Sequence, residues 1–152
     1  MPAPEFAPVL VLDTNAVLDW LVFDDPAMRA MGAEIVAGQR RWIASQPMLD
    51  ELADVLTRAP FAALVDAGRL DVHGHVARLC QVVPAPATGA SDVPLCRDLD
   101  DQKFIDLALA HRAPLLLTRD KALLALAKPA RACGVQVCTP AAHASRDQAI
   151  TQ

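Results

Sequence analysis

The sequence predicts an α/β fold with three layers, α/β/α, around a short central parallel sheet of about five strands. Two observations carry this reading. The strand candidates are short runs of consecutive apolar residues, such as Val9–Leu12 and Leu115–Leu117, rather than alternating apolar and polar positions. Such runs suit strands buried on both faces, the condition of a parallel sheet covered by helices. These runs also alternate with helix-like stretches, which is the order of repeated βα units. In sheets of this kind ligands bind outside the carboxyl ends of the strands, so the residues just after each strand are where chemistry is expected.

Each element has its own signal. Residues 1–8 contain Pro2, Pro4 and Pro8 and read as a tail entering the first strand, 9–12. A helical stretch starts near Ala16, breaks at Asp24-Asp25-Pro26, resumes at Ala27 and ends before Gly38. Arg41-Trp42-Ile43 is the second strand. Pro47 suits the first turn of a helix reaching about Leu56, with Met48, Leu52, Val55 and Leu56 on one side. Residues 63–70 and 73–80 are weaker helical segments, and Val82-Val83 is a minimal strand. Residues 84–94 hold three prolines, Gly89 and one large apolar residue, Val93, the composition of an extended loop. Residues 101–111 form a strong helix and 115–118 a buried strand. Asp120 opens a helix through Leu123, Leu124 and Ala127, residues 135–137 are the last strand, and Thr139-Pro140 opens a short final helix. The chain is polar after Ser145, so the expected domain is 9–144, with tails at 1–8 and 145–152.

Composition narrows the function. At 152 residues and 53% hydrophobic, the chain suits one domain with a sizeable core and is not a disordered one. With 14 basic and 18 acidic residues, net −4, it does not coat a polyanion by bulk charge. Contact with nucleic acid would have to be local or have metal ions in between. No apolar run approaches the roughly 20 residues of a membrane span, and the N-terminus lacks the Lys or Arg of a secretory leader. Cys80, Cys96, Cys133 and Cys138 include no C-x-x-C pair, and they read as reduced thiols of a cytoplasmic protein.

The acids are the informative residues. Asp13-Thr14-Asn15 follows the first strand and Thr118-Arg119-Asp120 follows the fourth, each next to a helix start. Taken singly, Asp13 and Asp120 read as helix caps. Glu51, three residues after Met48 and four before Val55, lies on or beside an apolar stripe; a salt bridge with Arg58 or a neighbouring segment would also account for it. Asp101 extends the stripe Phe104, Leu107, Ala108, His111, and it also fits a plain N-cap. Ionised carboxylates at a core edge are costly unless paired or metal-bound. Four acids converging on one crevice make sense with divalent cations among them, and oxygen-only ligands favour Mg²⁺ or Mn²⁺ over zinc. Removing these four from the count takes the net charge from −4 to 0, so the excess acidity is that of the candidate site.

The same residues resemble a known family. Val11-Leu12-Asp13-Thr14-Asn15-x-x-Leu18 resembles the opening of PIN-domain proteins. So do Met48-Leu49-Asp50-Glu51-Leu52-x-x-Val55-Leu56, Asp98-Leu99-Asp100-Asp101-Gln102-Lys103-Phe104-x-x-Leu107-Ala108, and Leu116-Leu117-Thr118-Arg119-Asp120-Lys121-x-Leu123-Leu124. Order and spacing match from about residue 9 to residue 140, and the branch most resembled is that of toxin components of type II toxin–antitoxin systems. The resemblance implies a PIN-like fold and a metal-dependent endoribonuclease leaving 5′-phosphate and 3′-hydroxyl ends. Asp13, Glu51, Asp101 and Asp120 match the family's acidic tetrad as catalytic residues and ligands of one or two Mg²⁺ or Mn²⁺ ions. Asn15 and Thr118 match positions that support the first and last acid, and Asp98 is a supporting or alternative ligand. Asp100 crowds the same motif. The resemblance also implies an RNA substrate, a separate antitoxin chain packing into or beside the crevice, and a homodimer.

Around that core, Arg119 and Lys103 adjoin site acids and are candidates for positioning phosphate, although a surface ion pair accounts for each equally well. Arg40, Arg41 and Arg58 are weaker candidates. His73 and His75 face apart if their segment is helical and read as surface. His111 suits the end of its helix, and Trp20 and Trp42 read as core. No Ser/His/Asp arrangement or Gly-rich phosphate loop is present. Two other readings stay open: a non-catalytic PIN-fold interaction module, and a phosphatase of the haloacid dehalogenase type. The second would need another Asp where Asn15 stands.

Overall fold

Runs of consecutive apolar residues become the middle of one parallel sheet. In the computed structural model, which describes residues 4–68, 70–87 and 93–151, five strands pair: β1 (Val9–Leu12), β2 (Arg41–Ala44), β3 (Cys80–Val82), β4 (Leu115–Leu117) and β5 (Gln136–Cys138). Their spatial order is β3-β2-β1-β4-β5, and every pairing is parallel. Leu10 lies opposite Trp42 on one side and Leu115 on the other.

Because strand side chains alternate between faces, one run feeds two cores. Val9, Val11, Ile43, Leu116 and Val137 pack on one face with Phe104, Ile105, Leu107 and Ala108 of α6 (Gln102–Ala110). Leu10, Leu12, Trp42, Leu115 and Leu117 pack on the other. That second face is covered by α1 (Thr14–Leu21), α2 (Pro26–Val36) and α3 (Gln46–Leu56). Trp42 is in this core and meets the half-buried Trp20 edge to face at 5.4 Å. Gly32 lets α1 approach α2, since a Cβ there would fall 2.2 Å from the Trp20 indole nitrogen. Gly38, at φ 76°, makes the left-handed turn that ends α2.

The remaining helices are α4 (Phe61–Asp66), α5 (Val72–Leu79), α7 (Lys121–Leu124), α8 (Ala127–Ala132) and α9 (Pro140–Thr151), with a 3-10 turn at Leu99–Asp101. Several differ from the sequence expectation. The helix from Asp120 is two short helices, α7 and α8, joined at Ala125 and Leu126. The edge strand β3 lies two residues earlier than expected, directly after α5. The stretch from 145, expected as a frayed tail, continues α9 to Thr151. That helix packs along α2, with His143 and Asp147 one turn apart at 3.8 Å, and no Gly or Pro follows Pro140 to stop it. Part of the expected N-terminal tail is also tied down. The Arg41 N–H donates to Pro8 O at 2.8 Å, the Arg41 guanidinium donates to Glu5 O at 3.0 Å, and Ala7 is buried. Positions 88–92 of the expected loop lie outside the described residues.

The topology places the site. The chain runs from β1 outward through β2 and β3, then returns to the other side of β1 for β4 and β5. The direction therefore switches between β1 and β4, and the carboxyl ends of these two strands are where such a sheet places its ligand crevice. Among the described residues no helix is long and apolar enough to cross a membrane.

Candidate active site between β1 and β4

Asp13 and Thr118 stand at that switch point. Asp13 extends the ladder, its N–H donating to Leu117 O at 3.2 Å, and then caps α1, its Oδ1 accepting from Ala16 N at 2.8 Å. Its Oδ2 accepts from the Thr118 hydroxyl. Thr118 is fully buried, and its Oγ1 also accepts from Asp120 N at 2.9 Å. Asp120 caps α7 through Ala122 N at 2.7 Å. Capping and convergence are thus not alternatives at these two acids: the bond that starts each helix also turns its carboxylate toward the crevice. Burial raises the Asp13 carboxyl to about 6, aided by the charge of Asp120 and opposed by the Thr118 and Ala16 bonds and by Arg119.

Asp101 and Glu51 come from helices. Asp101 precedes α6 but makes no capping bond, so the plain N-cap reading does not hold. Its Oδ2 is buried and has no partner. Burial first, then a side-chain hydrogen bond with Asp120, then the charges of Asp120, Asp98 and Glu51, push the Asp101 carboxyl up to about 7. Glu51 accepts from the Thr14 hydroxyl and, at 2.8 Å, from the Lys103 ammonium, which also donates to Asp100 O. Its partner is therefore a neighbouring segment and not Arg58, which pairs with Asp54.

The other expected residues fall as follows. Asp98 is exposed and holds the 3-10 turn by accepting from Asp100 N at 3.0 Å, while its charge acts on Asp101. Asn15 is exposed and bonds to neither acid; Thr14 beside it makes the contact instead. Arg119 is held by Asp19, and Lys103 by Glu51. Arg40 and Arg41 lie at the amino end of β2, away from the crevice. His73 and His75 lie on α5, outside the site, and His111 caps the end of α6. A cavity of about 570 Å³ opens beside Lys103 and Asp100, bordered by Ala85, Pro86 and Val93 from the described part of the 84–94 loop.

Sequence reasoning missed Thr14 and Asp19. Asp19 is 4% exposed and lies three residues after buried Ala16 on α1. The stripe argument that singled out Glu51 would have found it.

The donors facing the crevice are all carboxylate oxygens, and one of them, Asp101 Oδ2, is buried and unpartnered. That chemistry fits Mg²⁺ or Mn²⁺. Among the described residues, however, no three acid, His or Cys side chains already stand as a ligand group.

Comparison with known proteins agrees with the architecture. No curated protein matches the sequence. A solved structure, that of VapBC2 from Rickettsia felis bound to a DNA fragment from their promoter, contains a chain of similar fold. The TM-score is 0.55 at 13% identity, over 85% of this chain and 96% of that one. The family model described as PIN domain matches residues 9–122, which include all four candidate acids and both strands that flank the crevice. The chain therefore belongs to the PIN-domain family.

Proposed function

We propose that this chain is a metal-dependent endoribonuclease that hydrolyses RNA phosphodiester bonds, and that it acts as the toxin of a toxin–antitoxin pair. The observation that carries the reading is the convergence of Asp13, Asp101 and Asp120 at the switch point, with an unpartnered buried oxygen on Asp101 and Glu51 alongside. Family membership supports nuclease chemistry. The similarity to a chain of the VapBC2 structure supports an antitoxin partner. A homodimer follows from family analogy alone.

In this reading Asp13, Asp101, Asp120 and Glu51 hold one or two Mg²⁺ or Mn²⁺ ions. A bound ion would activate water and offset the charge of the scissile phosphate. The rest is the work of the chain. Thr118 fixes the Asp13 carboxylate and the backbone of Asp120 through one hydroxyl, so the two acids keep one spacing. Burial of Asp13 and Asp101 lowers the local dielectric, which strengthens their attraction for a cation and their mutual repulsion without one. Glu51 would hold an ion from the helix side, where its carboxylate is kept in place by the Thr14 hydroxyl and the Lys103 ammonium.

A second reading, a non-catalytic PIN-fold interaction module, draws on the Lys103–Glu51 pair, which already neutralises one acid. One experiment separates them. Purified protein is incubated with a mixed RNA pool and Mg²⁺, Mn²⁺ or EDTA, alongside Asp13→Asn. Cleavage that needs the metal and Asp13 is the expected result. RNA left intact under every metal condition would favour the interaction module.

A further inference from the structure

Resting on the nuclease reading above, we propose that Asp19 is a positioning residue that fixes Arg119 as a phosphate clamp at the rim of the acid cluster. Arg119 Nε donates to Asp19 Oδ2 at 2.7 Å, and Nη2 donates to Oδ1 at 2.9 Å. This fork-on-fork pair uses both carboxylate oxygens and the side edge of the guanidinium. The end edge, Nη1 with the second Nη2 hydrogen, has no partner among the described residues. That edge matches a phosphate bidentately.

The pair is unusual in its asymmetry. The Asp19 side chain is 6% exposed and that of Arg119 52%. By contrast, Arg29–Asp24, Arg58–Asp54 and Arg78–Asp71 have both side chains at least 60% exposed. A pair open on both sides holds neither partner still. Here the acid is rooted in α1, so the guanidinium is held while its free edge faces solvent.

The position fits the task. Arg119 lies between Thr118, which binds Asp13, and Asp120, which caps α7. Its charge and that of Asp13 act on each other. A cluster of acids repels an incoming phosphate, and a cation that cannot be deprotonated offsets this at the entrance. The ordering of a long side chain is met on folding and not on binding, so more of the contact is expressed as affinity. Lys103 is less suited, because its ammonium already serves Glu51 and Asp100 O.

The test measures RNA cleavage kinetics and the salt dependence of binding to a fluorescent single-stranded RNA of mixed sequence. It compares wild type, Arg119→Gln, Arg119→Lys, Asp19→Asn and the surface control Arg78→Gln. The double variant Asp19→Asn/Arg119→Gln, which leaves no buried unpaired charge, guards against misfolding. Arg119→Gln is expected to raise KM about tenfold with kcat little changed. It should also flatten the slope of log K against log salt by about 0.7, one single-strand phosphate contact. Arg119→Lys should keep the slope but not the KM, and Asp19→Asn should raise KM by less than Arg119→Gln at unchanged slope. Arg78→Gln should match wild type. If the Arg119 and Asp19 variants lose only thermal stability, with slope and KM as in wild type, the pair is a structural staple and the proposal falls while the nuclease reading stands. Wild-type protein that neither binds nor cleaves RNA would overturn both.

Discussion

Asp13 and Asp120 stand on strand ends, whereas Glu51 and Asp101 stand on helices, and this decides how each is held. The strand-end acids are locked by backbone bonds: each caps a helix, and a single hydroxyl from Thr118 joins them. Their places are consequences of the sheet order, because β1 and β4 are adjacent at the switch point. The helix-borne acids depend on side-chain partners. Glu51 has Lys103 and Thr14, and Asp101 has one unpartnered oxygen. One half of the site is rigid by topology, and the other half rests on side-chain contacts.

The largest effect should come from the rigid half. Asp13→Asn is expected to lower the initial rate of RNA cleavage by at least about a hundredfold, because it removes charge from the most buried acid. Glu51→Gln should cost less, about tenfold, because Lys103 already offsets that carboxylate. Equal losses at both positions would break the distinction between the halves.

Thr118 tests the lock itself. Thr118→Ala should destabilise the fold by about 1–3 kcal/mol in urea denaturation, since it strands a buried carboxylate oxygen and an amide. Thr118→Ser, which restores the hydroxyl, should recover most of this.

The pH dependence follows from the raised carboxyls. Asp13 goes from 3.8 to about 6 and Asp101 from 3.8 to about 7 in the folded chain. The folded state therefore holds protons that the unfolded state has released, and stability must fall as pH rises through that interval. In EDTA, Tm should be higher at pH 5 than at pH 8. The difference should be smaller in Asp13→Asn, which no longer titrates there. The smallest effect belongs to a solvent-exposed pair: Arg58→Ala should change stability by less than about 1 kcal/mol.

Much of the architecture is legible in the chain because parallel strands are unmixed apolar runs. The acids after β1 and β4 are legible because strand ends are where such sheets place ligands. The misses have different causes. The stripe on α1 marks Asp19 as buried but not its partner 100 residues away, and Thr14 meets Glu51 37 residues on, a pairing that no local pattern encodes. Asn15 matches a supporting position by resemblance, yet on the first turn of α1 it is exposed, while Thr14 beside it bonds to Glu51. The length of α9 is hidden in the sequence because the chain after Ser145 has the polar composition of a tail, whereas the contact of α9 with α2 is tertiary.

The central claim is that acids from two strand ends and two helices form one divalent-cation site. The most direct test is a Mn²⁺ titration of thermal stability at pH 7.5 for wild type, Asp13→Asn and Asp101→Asn. The account predicts that Mn²⁺ raises the Tm of wild type in a saturable way and leaves both variants nearly unmoved. Equal, saturable stabilisation of all three proteins would contradict it, because the ion would then bind somewhere that neither acid reaches.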